Sequence, residues 1–318
     1  MEKVLEKPLK PYVGRLAPSP TGALHLGNAR TFMIAWLRAR SLGGKIVLRM
    51  EDLDHPRDKP GAAAGAIEDL KWLGFDWDEE YVQSRRKDVY RGALEILKSK
   101  TAGDGGALVY PCACSRRDVE NAQSAPHAGE QLRYGGVCRG RFPDWEAAVG
   151  AKGGGTPCWR FRVQEGAMVG FDDVFAGRFE QDVFSTLGDF PLARDEGGAG
   201  YTLAVVVDDA SMGVSEVVRG DDLMPATPAQ ILLQRALGLP TPAYCHVPLV
   251  VGRDGRRLAK RHGDTRISTF RASGKAPEEV IGMLGASCAW CGVGERVSLP
   301  ELLPRFDLGT VPHHPFMI

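Results

Sequence analysis

One stretch near the start of the chain constrains its fold more than any other. Residues Tyr12 to Ala17 read as a short strand, and Pro18-Ser19-Pro20-Thr21-Gly22 forces a turn. From about Leu26, residues Ala29, Phe32, Met33, Trp36, Leu37 and Arg40 recur at helical spacing until Gly43-Gly44 stops the run. Lys45 to Met50 is a second short apolar strand, followed at once by Glu51-Asp52-Leu53-Asp54. Strand, turn, helix and strand in that order make a βαβ unit, which implies a parallel sheet.

Helical spacing returns over Ala63–Leu73 and over Val89, Ala93 and Leu97. From residue 111 to about 192 the pattern changes to cysteines, scattered glycines and few helical runs, which reads as an insertion. Beyond it, Leu203–Val207 is expected to be an apolar strand running into Asp208-Asp209, and Val214–Val218 a strand ending at Arg219-Gly220-Asp221-Asp222. Thr227–Leu237 reads as a helix, His246–Val251 as a last strand and Val280–Cys288 as a helix in the tail. The expected organisation is a nucleotide-binding sheet in two halves, 1–110 and 193–264, split by the 111–192 insertion and followed by a short helical segment, 265–318. Ligands of such sheets sit at the carboxyl ends of the strands, where these polar runs fall.

At 318 residues, 43% hydrophobic and 25% charged, the chain has the composition of a globular protein with a sizeable core. No apolar run approaches the ~20 residues of a membrane span, and MEKVLEKPLKP lacks an apolar signal core. A cytoplasmic protein without a membrane partner is expected. Lys and Arg together number 40, as do Asp and Glu, so any nucleic acid must be held by a local basic face.

Two motifs carry chemistry. In the run from Arg15 to Asn28, His25 and Gly27 stand at the mouth of a helix that follows a strand. A helix N-terminus with free N–H groups suits a phosphate, Gly27 lets a flat ring approach the backbone, and His25 can donate to a phosphoryl group in the transition state. The second is the cationic loop Arg256-Arg257-Leu258-Ala259-Lys260-Arg261-His262-Gly263-Asp264. Such a loop can close on a triphosphate, although taken alone a charge run of this kind usually reads as a solvated or RNA-facing patch.

Cysteine supplies a third pattern, Cys112-Ala113-Cys114 with Tyr134 and Cys138. Three converging thiolates suit tetrahedral zinc, with free buried thiols as the alternative. Cys288 and Cys291 form a lone C-x-x-C and read as core or surface thiols; Cys158 and Cys245 have no local motif.

The two chemical motifs resemble the paired signatures His-Ile-Gly-His and Lys-Met-Ser-Lys-Ser of the class I aminoacyl-tRNA synthetases, in the form of the glutamyl branch. Val47 to Asp54, Trp72 to Asp78, Val205 to Asp209 and Val217 to Asp222 support the resemblance, which covers roughly residues 12 to 270. Three positions depart from it: Asn28 replaces the second histidine, Arg257 the first lysine and Ala259 the serine before Lys260. The loss of that hydroxyl bears on turnover more than on nucleotide binding.

The resemblance implies a Rossmann-type α/β catalytic domain that activates L-glutamate with ATP and Mg²⁺ and passes it to a tRNA. It implies glutamate against Arg15, Leu16, Ala17, Pro18, Ser19, Glu51, Tyr201 and Arg219. It implies ATP against His25, Gly27, Asn28 and Lys260, with His25 and Lys260 catalytic. Physical chemistry agrees: Arg15 and Arg219 can each fork onto a carboxylate, and Glu51 can hold the ammonium. It further implies Zn²⁺ on Cys112, Cys114, Tyr134 and Cys138, pinning an insertion that meets the tRNA acceptor end.

After residue 264 only 54 residues remain, too few for the helical anticodon-binding region of full-length glutamyl enzymes. The chain therefore resembles their truncated, monomeric paralogues, which attach glutamate to queuosine of tRNA(Asp). The resemblance implies that these activate glutamate without tRNA, whereas full-length enzymes need it. A shortened enzyme charging tRNA(Glu), a non-catalytic tRNA-binding relative and a small-molecule adenylating ligase are the competing readings. A dinucleotide oxidoreductase would need a G-x-G-x-x-G fingerprint after the first strand, which is lacking.

Overall fold

A computed structural model describes residues 11–53, 60–122, 132–153, 155–194, 198–255, 258 and 264–318. The expected βαβ unit is present. Strand β1 (Val13–Leu16) lies parallel to β2 (Lys45–Met50), and β2 lies parallel to β3 (Glu79–Val82). The crossover is the helix Leu26–Ser41, which buries Ala29, Met33, Ile34 and Leu37 in the core. Gly43, at φ +64°, supplies the left-handed residue just beyond the helix end.

Strands from the region 111–192 enter two different sheets. Strands β4 (Val109–Cys112), β5 (Cys158–Phe161) and β8 (Phe190–Ala193) form a separate antiparallel sheet in the order β4-β5-β8. The hairpin β6 (Met168–Asp173) and β7 (Gly177–Asp182) instead joins β9 (Glu216–Gly220) and β10 (Ala243–Val247), in the order β7-β6-β10-β9. Residues 168–182, expected within the insertion, thus extend the catalytic sheet. The reason is local: β6 pairs parallel with β10 at Asp173 and Tyr244.

The two groups of parallel strands meet between β1 and β9. Ser215 N donates to Val13 O at 2.9 Å, and Tyr12 Oη donates to Glu216 Oε1 at 2.9 Å. Arg38, from the crossover helix, forks onto the same Glu216 carboxylate. Strand order reverses here, and such switch points open a crevice at the carboxyl ends of the strands.

Leu203–Val207 is not a strand but the middle of the helix Tyr201–Ser211. An unbroken apolar run carries no periodicity to tell the two apart. Every residue from Leu203 to Asp209 is buried, and a helix covered on all sides has no polar stripe to betray it. Two further boundaries differ from expectation. His246–Val251 is split at Pro248, which has no N–H to give a ladder, into the end of β10 and the short β11 (Val250–Val251). The tail helix runs Pro277–Ala286, so Cys288 and Cys291 lie in the turn beyond it.

The tail belongs to the main core. Ile281, Leu284, Trp290 and Leu302 pack with Met33 and Leu37, and β11 pairs with β12 (Phe316–Met317). Arg30, fully buried, donates to Ser287 Oγ at 2.9 Å and to Pro248 O at 2.8 Å, tying the crossover helix to both. Among the described residues no helix is long and apolar enough to cross a membrane.

Candidate active site

The crevice gathers groups from three strand ends. Arg15 leaves β1 almost fully buried, and its Nη1 donates to Val218 O at 2.6 Å across the switch point. That contact puts Arg15 beside the next residue on β9, Arg219, which is 5% exposed. Glu51 follows β2, where its amide donates to Pro18 O at 2.9 Å and so ties the first loop to the second strand end. Tyr201 opens the helix that follows residue 200, and its phenol feels the charges of Glu51, Arg219 and Arg15. Two buried cations, one carboxylate and a phenol therefore share one site. Ala17 and Ser19 lie in the loop above it, while Leu16 is fully buried in the core, so only its backbone can face a ligand.

Glu51 is held from behind. Arg49, on β2, donates to Glu51 Oε1 at 3.1 Å and to Asp209 Oδ1 at 2.5 Å. Burial pushes the Glu51 carboxyl above its usual range, against the pull of Arg49 and Arg15. Asp209 reaches Arg49 because the apolar run is helical. Its neighbour Asp208 turns the other way and accepts from Gln83 Nε2, Arg86 Nε and Tyr90 Oη. Arg49 and Asp209 are visible in the sequence only as parts of longer runs; a lone arginine inside the apolar strand Lys45–Met50 is the signal.

Arg219 is held in a similar way. Its Nε donates to His246 Nε2 at 3.0 Å and its Nη2 to Thr227 Oγ1 at 2.7 Å. His246 Nδ1 lies 2.6 Å from Asp173 Oδ2. Burial pushes the imidazole below its ordinary value against the pull of Asp173, and Arg219 adds to the effect. Sequence patterns single out none of these three partners, because each lies on a different element.

The first signature differs from expectation in one respect. His25 is the N-cap of the crossover helix, and its Nδ1 accepts from Gly27 N at 3.1 Å and Asn28 N at 3.4 Å. Leu26 N donates to Thr265 O at 3.0 Å. The amides expected to be open to a phosphate are therefore already used, and the helix end can act on an anion through its dipole. The cap has a chemical consequence: with Nδ1 accepting, the neutral ring carries its proton on Nε2. Asn28 closes a capping box, its Oδ1 accepting from His25 N at 3.3 Å. A Cβ at Gly27 would stand 3.1 Å from the His25 ring, closer than an ordinary contact. Lys260, with Arg257 and Ala259, lies outside the described residues.

The cysteines of the third motif converge. The sulfurs of Cys112, Cys114 and Cys138 all lie within 4.8 Å of one another, with Cys114 and Cys138 at 3.5 Å. The Tyr134 hydroxyl accepts from Cys138 N at 2.9 Å and lies 3.3 Å from Cys112 Sγ and 3.7 Å from Cys114 Sγ. Thiolates about 2.3 Å from a tetrahedral zinc would stand roughly 3.8 Å apart, so the set is gathered at nearly the required size. Arg160, not foreseen from the sequence, donates to Cys112 Sγ at 3.1 Å and stacks on the Tyr134 ring. A bond from Cys158, opposite Cys112, together with the Arg160 charge favours the Cys112 thiolate, the form a metal takes, whereas burial pushes the Cys114 thiol and the Tyr134 phenol up.

Residues 12–291 match the family described as tRNA synthetases class I (E and Q), catalytic domain. A glutamyl-Q tRNA(Asp) synthetase of Symbiobacterium thermophilum is 46% identical over 96% of this chain and 95% of its own. A glutamate–tRNA ligase of Aquifex aeolicus is 42% identical over 95% of this chain, but over 63% of its own length. The solved glutamate–tRNA synthetase of Elizabethkingia anophelis superposes with a TM-score of 0.80 at 28% identity, covering 97% of this chain and 68% of that one.

Proposed function

The chain belongs to the class I tRNA synthetases of the glutamate and glutamine group, and on that premise we propose that it activates L-glutamate with ATP and transfers it to queuosine of tRNA(Asp). The observation that carries the amino-acid specificity is the pair of buried arginines, Arg15 and Arg219, that share the strand ends with Glu51. Glutamate brings two carboxylates and one ammonium; with Arg49 and Asp209 paired behind Glu51, the groups left for them are two cations and one anion. The acceptor rests on the relatives: two glutamyl-Q tRNA(Asp) synthetases are 46% and 43% identical to this chain, each over 96% of it.

In the reaction, the α-carboxylate of glutamate attacks the α-phosphorus of ATP in line and expels pyrophosphate. ATP enters as its Mg²⁺ complex, so that metal arrives with the substrate. Arg15 and Arg219 fix the carboxylates and Glu51 the ammonium, and positioning supplies much of the rate. His25 offers its Nε2–H to the phosphoryl oxygens as charge builds, with the helix dipole behind it. Lys260 is assigned to the pyrophosphate. A hydroxyl of the nucleoside then attacks the acyl carbon of the adenylate, giving up its proton as the acyl–phosphate bond breaks and AMP leaves.

Zinc suits the Cys112, Cys114 and Cys138 thiolates with Tyr134 as the fourth partner, and there it would be structural. It would pin β4 to the 134–138 turn in a region assigned to tRNA contact. We also assign the protein to the cytoplasm as a monomer.

Glutamate-dependent ATP–pyrophosphate exchange, run with and without tRNA, tests the reading. Exchange without tRNA, followed by labelling of queuosine-containing tRNA(Asp), is the expected outcome. Exchange only with tRNA(Glu) would assign the chain instead to the glutamate–tRNA ligases.

A further inference from the structure

We propose that Asp173, His246 and Thr227 form a buried relay that sets the orientation of the Arg219 guanidinium, making His246 a positioning residue for glutamate. The proposal rests on the glutamate reading of the site. Asp173 closes β6 and accepts N–H bonds from Phe175 at 3.0 Å, Ala176 at 2.8 Å and His246 at 3.1 Å. So many donors keep it an anion, and its position 2.6 Å from His246 Nδ1 draws the imidazole proton to that nitrogen. Nε2 is left as a lone pair, and this lone pair accepts Arg219 Nε–H at 3.0 Å.

The ring cannot turn to undo this arrangement. His246 has no solvent exposure, lies beside the near-parallel Tyr244 ring and meets Phe171 at a tilt. Thr227 Oγ1 takes Arg219 Nη2 at 2.7 Å and can donate onward to Leu223 O at 3.3 Å. With Nε and one Nη2 hydrogen committed, the remaining guanidinium hydrogens are both on Nη1 and one on Nη2. The facing pair, one on each Nη, forms the edge left for a ligand. Both partners of Arg219 are uncharged, so its charge remains available to a carboxylate. A carboxylate partner in place of His246 would fix the same geometry but neutralise the cation.

The relay also joins three parts of the chain. Asp173 lies in the 111–192 region, His246 on β10, and Arg219 on β9 at the switch point. Any shift of the β6–β7 hairpin against β10 would therefore reach the guanidinium.

The test compares His246→Leu and His246→Gln in glutamate-dependent ATP–pyrophosphate exchange. Leucine removes the acceptor at similar volume, whereas glutamine can return an oxygen to Arg219 Nε. His246→Leu is expected to raise KM for glutamate at least about tenfold, the scale of a lost charge-assisted hydrogen bond. KM for ATP should stay within about twofold, and His246→Gln should recover most of the loss. If His246→Leu does not fold, Thr227→Val and Asp173→Asn carry the test, each with the same selective rise in glutamate KM. Wild-type KM for glutamate in these variants, or equal rises in both KM values, would overturn the relay alone. No glutamate-dependent exchange in the wild-type protein, with or without tRNA, would overturn the underlying reading as well.

Discussion

His25 and Arg266 face each other across an isolated antiparallel bridge, flanked by Ile267 N to Leu24 O at 2.9 Å and Leu26 N to Thr265 O at 3.0 Å. The bridge fastens the histidine of the first signature to the segment that follows the second. Thr265, Arg266 and Ile267, which follow the second motif in the chain, are thus held beside the start of the crossover helix by two backbone hydrogen bonds.

His25→Ala should lower the exchange rate about 100-fold, the scale of a lost transition-state donor. It also removes the helix cap, at about 1 kcal/mol. His25→Asn keeps a capping acceptor without the reach of Nε2. It should therefore restore Tm but not rate, measured by thermal melting and pyrophosphate exchange. Lys260→Ala should lose exchange with Tm unchanged.

Gly27→Ala tests whether the cap orients the His25 ring for the proposed reaction. The added methyl would press on the imidazole at 3.1 Å, and the ring is the part able to give. The exchange rate should fall about tenfold with a small loss of Tm. An unchanged rate would show that the ring position is not critical.

Glu51 should impose a pH dependence on glutamate binding but not on ATP binding. Its carboxyl is pushed upward by burial, and only the anion holds the ammonium. Glutamate KM should therefore climb as pH falls, starting above the ordinary carboxylate range. For stability the sign is reversed. A raised carboxyl contributes stability below its ordinary value, and this is lost as pH rises through the raised one. Glu51→Gln should thus leave Tm at neutral pH within about 3 °C while abolishing glutamate binding, since Asp209 still neutralises Arg49. A large fall in Tm would contradict this.

Arg49→Met leaves Asp209 buried without its cation. Breaking a buried pair costs about 3–5 kcal/mol. Denaturant unfolding should show a loss of that order, together with loss of glutamate binding as Glu51 is freed. The double variant Arg49→Met/Asp209→Leu should recover much of the stability but none of the binding.

Chelation, or Cys114→Ala, should lower Tm and reduce transfer to tRNA while sparing tRNA-independent exchange, because the cluster stands on the β4 sheet and not at the crevice. Metal analysis should find about one zinc per chain in the wild type. Equal loss of exchange and transfer would place the cluster in the activation step.

Much of this protein is legible in local chemistry. The Pro-Ser-Pro-Thr-Gly turn, the 3.6-residue spacing from Ala29 to Leu37 and the Gly43-Gly44 stop define the first βαβ unit, because turns and helix ends are written in adjacent residues. Arg15, Glu51 and Arg219 stand out because each ends a strand or its pattern. Sequence reasoning fails where neighbouring residues carry no signal. Five apolar residues from Leu203 to Val207 look alike in a strand and in a helix buried on every side, and only packing against the helices Lys87–Lys98 and Thr227–Leu237 decides between them. That decision sends Asp209 to Arg49 and Asp208 to Tyr90. Likewise Asp173, His246 and Thr227 meet Arg219 only because β6, β9, β10 and a helix converge. The chain by itself determined which residue types end the strands and where its turns fall. The tertiary structure alone decided which buried charges stand behind them, since a hydrogen bond between distant residues exists only once their elements are packed together.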